Sequence, residues 1–202
     1  MRWDRHTPVV GTPAMQLVFS FRNVVVGTAL VVAGYCAYRG FAADIESQDI
    51  GVLMRRHREA SPARQLVIKR RILAVYQDDR DYERMVESLD GPSPVSQALA
   101  IEVLVAKGEH KAVPKLVETL DDRERADIVK ERLAEAMARF RIREAIPRLI
   151  QLTDVSEQLA VRTAAHDALQ ALTGAGGAVK FSDAAREHWS LWWRDHHTSV
   201  RR

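Results

Sequence analysis

A seven-residue segment recurs three times in this chain, and its spacing limits the folds that the sequence can adopt. The three copies begin at Arg84 (RMVESLD), Lys115 (KLVETLD) and Arg148 (RLIQLTD). Apolar or small residues follow each copy in register, at Ile101, Leu133 and Ala165. A period in the range of roughly 20–50 residues indicates repeated units that stack side by side, because one short unit cannot bury its own apolar face.

Each unit is predicted to be a helix, a turn and an antiparallel second helix, so the fold class is all-α. Breakers at Gly91-Pro92-Ser93-Pro94, Asp121-Asp122 and Asp154 mark the turns inside the units. Pro114 and Pro147 open two of the first helices, where the amide lost to proline has no intrahelical partner.

The second helix of the last unit contains Val161-Arg162 followed by small residues and Leu169, in the pattern VR-x-x-A-x-x-A-L. On this motif and the proline-opened first helices, residues 44–174 resemble the HEAT-repeat family. The resemblance implies a short right-handed α-solenoid of about four HEAT-type helix pairs, with a grooved binding surface lined by the second helices.

The C-terminal segment 175–202 is predicted to be a glycine link and a capping helix. Trp189, Trp192 and Trp193 lie at i, i+3 and i+4, on one helix face. With Leu172-Thr173-Gly174 and Phe181, they resemble the ending of many bacterial HEAT-repeat proteins, although the glycine link is longer here. We interpret the three tryptophans as a structural cap on the last unit. The alternative is an exposed docking patch, which soluble surfaces rarely carry at this size.

The N-terminal region is predicted to be a polar tail, residues 1–14, and a transmembrane helix, residues 15–39. Residues 15–38 would reach about 36 Å as a helix, enough to cross a bilayer core of about 30 Å. Arg22 can reach the headgroups at one end, and Tyr35 and Tyr38 suit the interface at the other. The competing interpretation is a cleaved secretory signal, against which the long polar leader and the poor cleavage site both argue.

This segment also suggests an orientation and a packing face. Arg2, Arg5 and Arg22 precede the apolar run, which favours a cytoplasmic N-terminus and periplasmic repeats. A stripe of small residues at every fourth position would allow close approach of another membrane helix; it consists of Ala29, Ala33 and Ala37.

A basic cluster falls in the first unit, although residues 44–202 carry no net charge. We consider it either a solvated face or a contact surface for anionic lipid or an acidic partner; it consists of Arg55, Arg56, Arg58, Lys69, Arg70 and Arg71. Because the soluble part has no basic excess, we expect no nucleic-acid binding.

No catalytic, cofactor-binding or metal-ligating constellation can be identified in the sequence. His196-His197 lacks a facing ligand, and the glycine run 174–177 lacks the Lys-Ser/Thr of a phosphate loop. We therefore expect a membrane-anchored scaffold or adaptor for protein partners, not an enzyme. The alternatives are an accessory structural subunit of a membrane complex and, less favoured, a HEAT-like enzyme that handles a ligand.

The membrane helix has a direct test. If residues 15–38 span the bilayer uncleaved, the protein stays in the membrane fraction after an alkaline carbonate wash and keeps its N-terminus. Recovery of a soluble chain that begins near Asp44 would instead show that the segment is a cleaved signal.

Overall fold

The computed structural model describes residues 49–175, 177 and 179–200. Over this part the chain is all-α, without a strand, which confirms the predicted class. Its helices are α1 (Ile50–Glu59), α2 (Pro62–Val75), α3 (Asp79–Leu89), α4 (Pro94–Lys107), α5 (Val113–Asp121), α6 (Asp127–Phe140), α7 (Ile146–Leu152), α8 (Leu159–Thr173) and α9 (Ala185–Val200). Short 3₁₀ turns, His110–Ala112 and Arg143–Ala145, lead into α5 and α7.

The first eight helices pack as four consecutive pairs. Each odd-numbered helix contacts the even-numbered helix that follows it, and α2, α4, α6 and α8 contact one another in succession. We call α1, α3, α5 and α7 the first helices and the other four the second helices. Ile101, Leu133 and Ala165, which share one repeat position, are all buried between these elements. The last helix, α9, packs against α7.

Three second helices end in the same way, at equivalent positions of the repeat. Gly108, Arg141 and Gly174 all adopt the left-handed backbone conformation, with φ of 70°, 57° and 69°. After the first two, the next amide donates back into the last turn: Glu109 N–H to Leu104 O at 3.0 Å, and Ile142 N–H to Met137 O at 2.9 Å. These bonds satisfy carbonyls that a helix end would otherwise leave without partners.

The basic residue that starts each recurring segment reaches back to the preceding unit. Arg84 contacts Asp49 at 3.3 Å, and Lys115 contacts Asp90 at 2.9 Å. Arg148 donates from Nε to the carbonyl of Leu120 at 2.9 Å. The repeat in the sequence therefore corresponds to a repeated polar contact between neighbouring units.

The predicted membrane helix, residues 15–39 with Ala29, Ala33 and Ala37, lies outside the described residues. Within residues 49–200 as described, no helix is both long enough and apolar enough to cross a membrane.

Candidate functional site

The predicted basic cluster is divided between two helices of the first pair. On α1, Arg55 and Arg58 are the more exposed members and Arg56 is half-buried. On α2, Arg70 is exposed, whereas Lys69 and Arg71 are half-buried. The six side chains therefore do not form one uniform solvated face.

Lys69 belongs to a chain of ion pairs that crosses three second helices. Its ammonium lies 2.8 Å from Glu102 on α4, and Glu102 also lies 2.8 Å from Nε of Arg132 on α6. Arg132 in turn pairs with Glu131 and Glu135 on its own helix. Lys69 therefore differs from the exposed arginines of the cluster, because Glu102 neutralises its charge.

Arg55 and Arg58 line an open cavity of about 510 Å³ between α1 and α3. A third arginine, Arg84 of α3, lines the same cavity. Arg84 belongs to the next unit of the sequence, so its position offered no sign that it would join the cluster. Among the predicted basic residues, the structure brings Arg55 and Arg58 to this cavity and leaves the residues of α2 away from it.

At the other end of the described chain, Trp189 anchors α9. Its side chain is fully buried, and its indole N–H donates to Nδ1 of His166 at 3.0 Å. Phe181 and Trp192 meet this pair edge-on, with ring centroids 5.4 Å from His166 and 5.7 Å from Trp189 respectively. The aromatic side chains thus join α8, the 181–184 segment and α9 into one cluster.

The hydrogen bond from Trp189 determines the tautomer of His166. An indole N–H can only donate, so Nδ1 of His166 is unprotonated and the neutral ring carries its proton on Nε2. The side-chain nitrogen of Gln170 lies 2.9 Å from Nε2, and the tautomer requires this amide in the opposite orientation, in which its oxygen accepts the Nε2 proton. Burial lowers the pKa of His166, and the charge of Asp167 opposes that shift.

Arg162, in the VR motif of α8, fastens the chain that leads into α9. Its side chain is buried, and Nη2 donates to the Asp183 carboxylate at 2.7 Å and to the Ser182 carbonyl at 3.2 Å. The guanidinium also lies over the ring of Phe181, 5.4 Å from its centroid. The motif arginine therefore acts here as a tie between α8 and the C-terminal segment.

A second tie joins α9 to the turn after α7. Nη1 of Arg186 contacts the carboxylate of Asp154 at 2.6 Å. Hydrogen bonds from Ser156 and from Arg186 hold the pKa of Asp154 well below its ordinary value. Asp154 is the last residue of the third recurring segment, so α9 meets the final unit through the same acidic position that Lys115 contacts at Asp90.

Trp192 and Trp193 are only half-buried, unlike Trp189. Trp192 stacks on His196, with centroids 4.5 Å apart and nearly parallel rings. Trp193 lines a separate surface cavity of about 460 Å³ together with Arg143, Glu144 and Pro147. The three tryptophans share a helix face, but they differ in depth.

The sequence did not reveal Arg84, Glu102 or His166 as important residues. Each acts through a partner on a different helix, and such a partner is identified only once the register of neighbouring helices is known. The period of the repeat was the one available signal.

Comparison with protein-family models, curated proteins and solved structures gives no match. In the part of the chain that the structure describes, no group of three or more His, Cys, Asp or Glu residues is placed to hold a metal ion. The predicted structural cap of Trp189, Trp192 and Trp193 remains a prediction, with the following test.

We expect the tryptophans to differ in their effect on stability. Trp189→Ala should lower the free energy of unfolding of the full chain by about 3–5 kcal/mol, because it empties a fully buried site and leaves His166 without its donor. Trp192→Ala should cost less, and Leu191→Ala, at an exposed position on the same helix, should cost under about 1 kcal/mol. Denaturant unfolding followed by circular dichroism measures all three. Equal and small effects would contradict a capping role.

We expect the stability of the fold to depend on pH through His166. Protonation requires a hydrogen on Nδ1, which displaces the Trp189 bond and orphans a buried donor, at a cost of about 1–3 kcal/mol. Because the folded-state pKa lies below the ordinary 6.5, the unfolded chain binds more protons. The stabilisation is therefore complete above pH 6.5 and is lost as the pH falls below it.

The measurement is the melting temperature between pH 7.5 and pH 5. His166→Asn keeps an acceptor but cannot titrate, so its melting temperature should fall less than that of the wild type. His57 is also buried with a lowered pKa and adds a slope of the same sign, so a residual slope is expected. His188→Asn, at an exposed position on α9, is the control and should keep the wild-type slope. If His166→Asn also keeps it, the proposed tautomer is wrong.

Proposed function

We propose that this chain is a membrane-tethered scaffold of the HEAT-repeat type that binds protein partners along its second helices. Residues 15–39 would supply the tether. The four helix pairs would form the short right-handed α-solenoid, and α9 would close it.

The order of helix contacts supports a solenoid. In such a stack each unit contacts only its neighbours, and both layers follow the order of the chain. Here α2, α4, α6 and α8 contact one another in that order, and the contacts of Arg84, Lys115 and Arg148 each reach one unit back. This is the arrangement that a repeat of one helix pair requires.

The distribution of exposed apolar side chains carries the assignment of the binding face. In the described part of the four helix pairs, every large apolar side chain that is exposed within a helix lies on a second helix: Leu66, Val67, Ile128 and Leu159. Val155 is exposed in the turn that leads into α8. A contiguous exposed apolar patch marks a protein-binding surface, and the second helices are the layer that supplies apolar side chains for one.

The N-terminal end of α8 offers the sharpest test. Leu159 is 64% exposed and is the first residue of α8, so it makes little contribution to the core. An acidic residue at a helix N-terminus interacts favourably with the helix dipole. Leu159→Asp should therefore place a charge on the proposed surface without destabilising the fold.

We expect Leu159→Asp to reduce co-purification of native partners in mild detergent at least tenfold, while the melting temperature stays at the wild-type value. The matched control is Leu191→Asp, which adds the same charge at a leucine that is 44% exposed on α9. The control should retain its partners. Equal retention by both variants, or equal loss in both, would refute the second-helix surface.

A further inference from the structure

The first helices α1 and α3 do not close against each other along their full length. Between them lies the cavity of about 510 Å³, which also reaches the start of α4. One face of α1 lines it, and α3 and the turn after it contribute Arg84, Glu87, Ser88 and Gly91. The two helices meet where the Ser88 hydroxyl lies 3.5 Å from the Met54 sulfur.

The cavity concentrates positive charge that the fold does not fully neutralise. Arg55 and Arg58 are three residues apart on one helix face, an arrangement in which like charges repel. Arg58 has only a loose pair with Glu59, at 3.7 Å between two exposed groups. Within the described residues, Arg55 has no polar partner. An anion bound between these groups would relieve their repulsion.

Two carboxylates also line the cavity, and they leave it with a net positive charge. Asp49 accepts from the Val52 amide at 3.0 Å and contacts Arg84 at 3.3 Å, so it serves as the N-cap of α1. Glu87 contributes the second negative charge. Three guanidinium groups against two carboxylates leave one positive charge.

The equivalent position in the next two units is more fully satisfied. Lys115 has two carboxylate partners, Asp90 at 2.9 Å and Glu118 at 3.1 Å. Arg148 donates to the Leu120 carbonyl at 2.9 Å and to Gln151 at 2.6 Å. Between α1 and α3, by contrast, the equivalent basic residue is Arg84. It faces a cavity that Arg55 and Arg58 also line.

We propose that this cavity binds a phosphate group, and that in the tethered protein this group is the headgroup of an anionic phospholipid. Guanidinium groups match phosphate oxygens in geometry and remain charged at all physiological pH values. Ser93 and Ser96 line the cavity at the beginning of α4, whose dipole also favours an anion. Its volume lies within the range of small-ligand sites, roughly 300–1,000 Å³.

The lipid as the source of the phosphate rests on the proposed membrane tether. Only a short stretch of chain separates Arg55 from the predicted membrane helix, residues 15–39. If residues 15–39 span the bilayer, a linker of this length limits how far α1 can lie from the headgroups. The phosphate site itself does not depend on the tether, which allows the two to be tested apart.

The first experiment titrates inorganic phosphate into the full chain in a non-ionic detergent at constant ionic strength, by isothermal calorimetry. We expect saturable binding that weakens at least tenfold in the double variant Arg55→Gln/Arg58→Gln. The matched control is Arg70→Gln/Arg80→Gln, which removes the same charge at two exposed arginines outside the cavity. It should bind phosphate like the wild type. Absence of saturable binding, or equal weakening in both doubles, would overturn the site.

The second experiment identifies the source of the phosphate. The full chain is placed in nanodiscs of phosphatidylcholine, with or without phosphatidic acid, and arginine modification by phenylglyoxal is measured by mass spectrometry. Protection of Arg55 and Arg58 only in the discs with phosphatidic acid would support a lipid headgroup. Phosphate binding without such protection would overturn the lipid assignment and indicate a soluble phosphate compound.

The variants also separate this inference from the proposed scaffold function. Leu159→Asp should leave phosphate binding unchanged, because α8 does not line the cavity between α1 and α3. If phosphate binding is absent while Leu159→Asp still releases the partner, the cavity proposal fails and the scaffold proposal stands. The reverse pattern would reject the scaffold and retain the site.

Discussion

The contact between successive second helices is the interaction on which the described structure depends. A helix pair of this length cannot bury its apolar stripe alone, so α6 needs both α4 and α8. The fully buried side chains of α6 include Leu133, Ala134, Ala136 and Met137. The alanines among them allow neighbouring helices to approach closely, whereas Leu133 and Met137 fill the volume between layers.

Of the four helix pairs that the structure describes, the first and the last each contact only one neighbouring pair, and they differ in their further contacts. At the last unit, α9 is tied down by a fully buried tryptophan and by the ion pairs Arg162–Asp183 and Arg186–Asp154. At the first unit, the second helix α2 keeps Leu66 47% exposed and Val67 37% exposed. The last unit is therefore fastened to a further helix, although Leu159 and Leu191 stay exposed there, as Leu66 and Val67 do on α2.

The sequence was sufficient for the helix pairs, because their period, turns and opening prolines are local signals. Ser93 and Pro94 start α4, and Pro114 and Pro147 fall in the first turns of α5 and α7, as the pattern indicates. It was not sufficient to rank the three tryptophans. Helical spacing places them on one face, but only the position of His166 on α8 shows that Trp189 is the buried one.

The sequence was also not sufficient to show which charged residues are neutralised in the fold. Residues 44–202 carry no net charge, and counting along the sequence isolates a basic run in the first unit. In three dimensions many ion pairs connect bases and acids of neighbouring units. Lys69, which lies in a basic run, is neutralised by Glu102, which lies in an otherwise apolar stretch of α4. Arg55 and Arg58 face a junction where the repeat supplies a third base instead of a further acid. The local excess of positive charge therefore follows from how neighbouring helix pairs are aligned, and it lies at the first pair, which precedes the first copy of the recurring segment.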